Sequence, residues 1–214
     1  PHLQQLVIKH HARFPRNLFL PSLYELEAHL SVGVPHAQQT TLTKLVTFKV
    51  FPDGEWNISC LTNLRELSME YGWTMDISPI TNLESLGLRY TDPVIPHTLK
   101  FPEKLTTLKQ WNAGSGNIDF AKFSNLIDLQ LSGLSFETIV MNIDTLHSLT
   151  RLEIGGKIQH TYLSILTKLQ DLKINGCNRK ELESYELNLT PLTNLTSLHL
   201  SAENEFKNVK INAP

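Results

Sequence analysis

Cysteine is almost missing: Cys60 and Cys177 are the only two in 214 residues. Neither has a partner motif, which excludes a disulfide-dense scaffold and a CxxC zinc or redox site. Long apolar runs are missing too, and none approaches the ~20 residues that a membrane helix requires. A basic excess is absent. With 19 Lys and Arg against 21 Asp and Glu, the net charge is −2 and the pI about 6.6, without the electrostatic footprint of a nucleic-acid binder. No secretory signal is visible, although the chain starts at Pro1 rather than Met, so an upstream segment can have been removed. No Pro/Gly/Ser-rich linker interrupts the chain, and one domain over residues 1–214 is expected. At 41% hydrophobic residues the chain is large enough for a continuous core.

The motifs of catalysis are also missing. Nine histidines are scattered, and no pair has the i, i+4 spacing of a zinc helix. His10 and His11 are adjacent and point to opposite sides of an extended segment. Gly114-Ser-Gly116 lacks the Gly-Lys-Ser/Thr ending of a phosphate loop. Surface histidines, a flexible turn and small core cysteines account for these residues. No metal, no cofactor and no enzymatic activity are expected of this segment.

What the chain does have is a phrase, LxxLxL, repeated along almost its whole length. TNLRELSME and TNLESLGLR stand nineteen residues apart, with Leu64, Leu67 and Met69 answered by Leu83, Leu86 and Leu88. Ten copies are read. The others are Leu3/Leu6/Ile8, Leu23/Leu26/Ala28, Leu45/Phe48/Val50, Leu105/Leu108/Gln110, Leu126/Leu129/Leu131, Leu149/Leu152/Ile154, Leu169/Leu172/Ile174 and Leu195/Leu198/Leu200. Successive first leucines are 20, 22, 19, 19, 22, 21, 23, 20 and 26 residues apart. A second apolar mark stands three residues before most of them: Leu20, Leu42, Leu61, Ile80, Phe123, Leu146, Leu166 and Leu192. A short strand of this kind cannot bury its own apolar side, so neighbouring copies must stack and share a core.

With these residues in view, the chain resembles the leucine-rich-repeat family, whose unit of ~20–29 residues carries one strand. DISPITNLESLGL and NLTPLTNLTSLHL are most similar to its short, internalin-like branch. The resemblance covers residues 1–214 and implies an α/β solenoid. Its form is a right-handed horseshoe with a parallel concave β-sheet and a mostly non-helical or short-helical convex side. There is one departure. The family places Asn or Cys three residues after the third apolar position, whereas here Gly72, Thr91, Leu134, Lys157 and Glu203 stand there and only Cys177 fits. The ladder is degenerate.

Coils of 19 to 22 residues leave too little chain for a full helix, and Pro93, Pro96 and Pro102 reinforce this in the fifth coil. Two longer coils have room for one. Phe136, Ile139, Val140, Ile143 and Leu146 follow Ser135 at helical spacing, and Asn178 is positioned to cap RKELESYEL. Asn112 to Asn117 reads as a loop. No capping segment precedes Leu3, which is expected of a piece of a longer protein, while Phe206, Val209 and Ile211 suggest a half coil after the last phrase. Cys60 and Cys177 lie more than five coils apart and cannot meet. Extracellular members of the resembled family seal their ends with disulfide-bearing caps, so their absence points to the cytoplasm. The sequons at Asn57, Asn188 and Asn194 point instead to a cell-surface or extracellular location.

The residues between the leucines carry the functional reading. The third, fifth and seventh places of the phrase point away from the core, and the eighth lies at the strand's exit. Taken copy by copy, the seventh and eighth places give Phe51, then Glu70 and Tyr71, Arg89 and Tyr90, and Trp111 and Asn112. Aromatics and Arg dominate binding energy at interfaces. Phe51, Glu70, Tyr71, Arg89, Tyr90 and Trp111 are therefore the candidate partner surface, with Glu66 and Lys109 beside them. The competing reading is a row of aromatics stacked on itself to cover the sheet. The later strands carry Asp128/Gln130, Arg151/Glu153, Asp171/Lys173 and Ser197/His199, a mixed polar surface without an anchor.

The expected function is a protein- or peptide-binding scaffold in the cytoplasm, with no nucleic-acid binding and no membrane insertion. Alternatives are the recognition domain of an immune receptor or ubiquitin-ligase adaptor, a cell-surface adhesion repeat, and the non-catalytic part of an enzyme whose catalytic domain lies elsewhere. The cysteine and histidine readings make a direct prediction. Neither a chelator nor a reductant should move the melting temperature, and a drop with either overturns the corresponding reading.

Overall fold

The computed structural model describes residues 2–8, 20–28, 41–47, 61–70, 77–89, 101–111, 117–121, 123–133, 139–155, 160–175, 185–201 and 209–212. The chain packs as two compact units, Pro1–Leu105 and Thr106–Pro214. In the first, strands β1 (Gln5–Val7), β2 (Glu25–Ala28), β3 (Lys44–Thr47), β4 (Glu66–Glu70) and β5 (Ser85–Arg89) lie side by side in chain order, all parallel. In the second, β6 (Thr107–Trp111), β8 (Asp128–Ser132), β10 (Arg151–Gly155), β11 (Asp171–Asn175) and β13 (Ser197–Ser201) form the corresponding parallel row. Two smaller parallel pairs lie on the returning chain of the second unit. They are β7 (Asn117–Asp119) with β9 (Ile139–Met141), and β12 (Tyr185–Asn188) with β14 (Val209–Asn212).

Each repeat supplies one strand because the phrase alternates. In β4, β6, β8 and β11 the fourth and sixth places are buried and the third, fifth and seventh half-buried or exposed, whereas in β13 Leu198 is exposed and Leu200 half-buried. Parallel pairing puts identical places opposite one another. Leu26, Leu45, Leu67 and Leu86 form one column, and Leu108, Leu129, Leu152, Leu172 and Leu198 another.

The approach to each strand is equally regular. Ile77, Ile80 and Leu83 are linked by two successive i→i+3 backbone bonds. The same holds for Phe120/Phe123/Leu126, Ile143/Leu146/Leu149, Leu163/Leu166/Leu169 and Leu189/Leu192/Leu195. Side chains three apart eclipse in such turns, so an apolar residue every third place covers the core with a single stripe. Among these fifteen residues every one except Leu195 is buried. The mark three residues before each phrase is thus a turn, and a second mark stands six residues before it. Phe120 and Phe123 add a tilted ring contact, centroids 5.6 Å apart.

The structure corrects three sequence expectations. In the third repeat Leu45 lies opposite Leu26 and Leu67, so the phrase there is Leu42/Leu45/Thr47 and not Leu45/Phe48/Val50. Turn mark and phrase share a spacing of three, which makes the two alignments equivalent on paper. The helix expected over Phe136 to Leu146 is not formed in its described part. Ile139–Met141 is strand β9, Asn142 turns left-handed with φ 56°, and Ile143–Thr145 is a single 3-10 turn. β-branched Ile139 and Val140 suit a strand, and pairing with β7 satisfies their backbone groups. In the long ninth coil, the last three residues of the expected helix, Tyr185 to Leu187, lie in strand β12; residues 178–184 lie outside the described residues. Among the described residues the helical segments are this turn and His160–Ile165, both 3-10, in line with the non-helical return expected.

Burial sets the cost of a lost leucine. Leu129 is fully buried in the middle of its row, whereas Leu3 is 43% exposed. Leu129→Ala should destabilise by about 2–5 kcal/mol, the range for buried leucines. Leu3→Ala should cost well under half of that in the same urea melts. Equal losses would contradict the stacked arrangement.

Candidate functional site

The backbone of each row is locked before any outward side chain matters. In eight repeats the carbonyl in the second place of the phrase, from Gln4 to Gln170, accepts two consecutive N–H groups from the next repeat. Gln4 O takes the N–H groups of Tyr24 (3.0 Å) and Glu25 (3.2 Å); Ile127 O takes those of Thr150 (2.9 Å) and Arg151 (3.0 Å). Threonine in the second place adds its hydroxyl to the same carbonyl. Thr43, Thr150 and Thr196 donate Oγ1–H to Tyr24 O, Ile127 O and Gln170 O at 3.3, 3.3 and 3.1 Å.

A second ladder runs through the asparagine immediately before the phrase. Asn82 Nδ2 donates to Thr62 O, and Asn194 Nδ2 to Thr167 O, both at 2.8 Å. Lys104 Nζ in turn donates to Asn82 Oδ1 at 2.6 Å. The asparagine ladder sought after the third apolar place is therefore found one residue before the first. Thr-Asn-Leu, repeated at 62–64, 81–83 and 193–195, is the signal that marks it.

On this scaffold the outward side chains form rows across the strands, with identical places ~4.8 Å apart. The two charged candidates of the sequence reading do meet: Glu70 in β4 and Arg89 in β5 stand at 3.6 Å, both in the seventh place. Trp111 is half-buried in the seventh place of β6, in the second unit. Phe51, Tyr71 and Tyr90 lie outside the described residues. With the register of the third repeat corrected, its seventh place is Phe48 rather than Phe51, and Phe48 also lies outside them.

Sequence reading missed the cross-strand ion pairs. In the first unit Lys44 lies between Glu25 at 3.0 Å and Glu66 at 3.7 Å, and Gln5 Nε2 donates to Glu25 Oε2 at 2.8 Å. The hydrogen bond to Glu25 holds the Lys44 ammonium above its ordinary value, against the opposing pull of burial. Arg65 and Glu84 pair at 2.7 Å in the second place. In the second unit Arg151 pairs with Asp171 at 3.2 Å and Lys173 with Glu153 at 2.8 Å. Asn175 Nδ2 donates to the same Glu153 oxygen at 3.0 Å, and Gln130 Nε2 to Asp128 Oδ1 at 3.1 Å. The signal was opposite charge in the same place of successive copies, which becomes a contact only once the register is known.

Among the described residues no group of three His, Cys, Asp or Glu is gathered to hold a metal ion, and no helix is long and apolar enough to cross a membrane. Both cysteines lie outside them.

Glu153 makes the ion-pair network testable. Burial pushes its carboxyl up, but the hydrogen bonds from Lys173 and Asn175 and the charges of Lys173 and Arg151 outweigh this and hold it below its ordinary 4.5. A carboxyl depressed by folding contributes stability above its unfolded value and loses it as pH falls through the native one. The wild type should therefore exceed Glu153→Gln in melting temperature at neutral pH, and the gap should close in the acid range below 4.5. A gap independent of pH overturns this assignment.

No protein-family model matches this chain. No curated protein matches it. Among solved structures it is similar to an internalin (inlF) from Listeria monocytogenes str. 4b F2365, at 17% identity and a TM-score of 0.48, over 90% of this chain and 68% of that one. It is also similar to the functional domain of InlJ from Listeria monocytogenes, a domain described as including a cysteine ladder, at 16% identity and a TM-score of 0.49. That likeness covers 84% of this chain and 48% of the other, so the chain spans about half the length of that domain. In each unit the repeated leucine phrase and its parallel strands make a solenoid of stacked repeats, with almost no helix among the described residues.

Proposed function

We propose that the chain is a protein- or peptide-binding scaffold that uses the outward face of its parallel strands. The observation that carries this reading is the grid itself. Short strands in fixed register hold rows of polar and charged side chains, with Trp111 among them, on a hydrogen-bonded backbone. A preordered surface loses little on association, which favours binding. In the first unit the partner residues we propose are Glu70, Tyr71, Arg89 and Tyr90, and in the second unit Trp111. Recognition by part of a longer receptor or adaptor, in the cytoplasm or at a cell surface, is the biological setting that this reading suits.

The test uses the chain as bait and a partner recovered by affinity capture. Ser68→Trp fills the fifth place of β4 between Val46 and Gly87, and Gln130→Trp does the same on β8 in the second unit. Loss of binding in either variant, with folding intact, supports the sheet face. Tyr71→Ala, Tyr90→Ala and Trp111→Ala should then weaken binding by about 2 kcal/mol or more if they are its anchors, the threshold for a hot spot. Exposed Lys168→Ala, on a turn before β11, should be neutral. Unchanged binding by both tryptophan variants overturns the reading.

A further inference from the structure

The two units differ in how their outward charges are balanced. In the third, fifth and seventh places of β6, β8, β10, β11 and β13, Asp128, Glu153 and Asp171 face Lys109, Arg151 and Lys173, three of each sign. In the same places of β1 to β5, among the described residues, Glu25, Glu27, Glu66 and Glu70 face only Lys44 and Arg89. One lysine is shared by two carboxylates: Lys44 lies 3.0 Å from Glu25 and 3.7 Å from Glu66, and the Glu66 side chain is 56% exposed.

Glu27 is the more informative residue. It occupies the fifth place of β2, and the register puts Val7 on one side of it and Val46 on the other. It is half-buried, and its carboxylate has no ion pair and no side-chain hydrogen bond among the described residues. A carboxylate set between two valines gives up part of its hydration and receives no cation in return. In the second unit Asp171 and Glu153 each have a cation, at 3.2 and 2.8 Å, and Asp128 an amide donor at 3.1 Å; Glu27 has neither among the described residues. Val7 is itself 50% exposed, an apolar neighbour beside the uncompensated charge.

Resting on the sheet-face reading above, we infer that the outward face of β1 to β4 takes a basic segment of a protein partner, with Arg or Lys side chains alternating with apolar ones. Its cations meet Glu27 and Glu66, and its apolar side chains lie over Val7 and Val46. Arginine suits these positions best, because its planar fork meets a carboxylate with two parallel hydrogen bonds. The excess of carboxylates repels phosphate, so the occupant is a polypeptide and neither a nucleic acid nor an anionic lipid surface.

The experiment measures binding of two short synthetic peptides to the full 214-residue chain, one alternating arginine with valine and one alternating glutamate with valine. The arginine peptide should bind and the glutamate peptide should not, and added salt should weaken binding. Glu27→Gln and Glu66→Gln should each weaken the arginine peptide about three- to fivefold, the span of a partly exposed ion pair. Glu153→Gln, in the second unit, should leave it unchanged. Ser68→Trp separates the two ideas. If it abolishes peptide binding while both Gln variants bind normally, the sheet face stands as the docking surface and the charge inference falls. If all three bind normally, the peptide is not held on this face and the inference is overturned. If Glu153→Gln weakens binding as much as Glu27→Gln, the attraction is that of net charge alone and the inference is overturned.

Discussion

Everything in this molecule depends on the coverage of one strand's apolar side by the next repeat. A strand of four or five residues with two buried places cannot make a core. Leu45 is enclosed only because Leu26 and Leu67 stand on either side of it, and Leu152 only because of Leu129 and Leu172. The backbone enforces that stacking in parallel. In eight repeats the second-place carbonyl takes two N–H groups from the following repeat, so a repeat that slips by one residue loses both bonds and turns its leucines outward together. Register is thus a collective property, held jointly by core leucines, shared carbonyls, and the threonine and asparagine side chains that reach back one repeat.

Once register is fixed, the outward face acquires its chemistry by simple adjacency. Residues 19 to 27 apart in sequence become neighbours in the same place, and charges of opposite sign in that place become ion pairs. Partly exposed pairs contribute little each to stability. Their greater consequence is for recognition. Among the described residues the second unit carries equal numbers of outward carboxylates and cations, whereas the first carries more carboxylates than cations.

The fold was largely legible in the sequence, because a phrase repeated so many times leaves few ways to bury its leucines. Legibility failed where two patterns share one spacing. Leu42 and Leu45 each fit the first place of the phrase, and strand pairing alone showed which it was. Ile139, Val140, Ile143 and Leu146 fit a helix on paper, but they divide into a strand and a 3-10 turn on either side of left-handed Asn142. A helix and a strand followed by a turn both accommodate that apolar spacing. Of the candidate site, Glu70 and Arg89 were placed together by counting places in the phrase, because both lie in repeats whose register was read correctly.

The sequence by itself determined that the chain is a stack of parallel-stranded repeats, which places face the core, and that little helix returns the chain. Those features follow from periodicity, and periodicity is local. Tertiary structure decided which outward residues meet. Lys44 sits between two carboxylates, Glu153 gathers Lys173 and Asn175, and Glu27 is left between two valines. No local pattern encodes those contacts, because each joins residues about one repeat apart and repeats here range from 19 to 26 residues. Adjacency across strands exists only when backbone hydrogen bonds and stacked leucines have absorbed those differences in the returning chain.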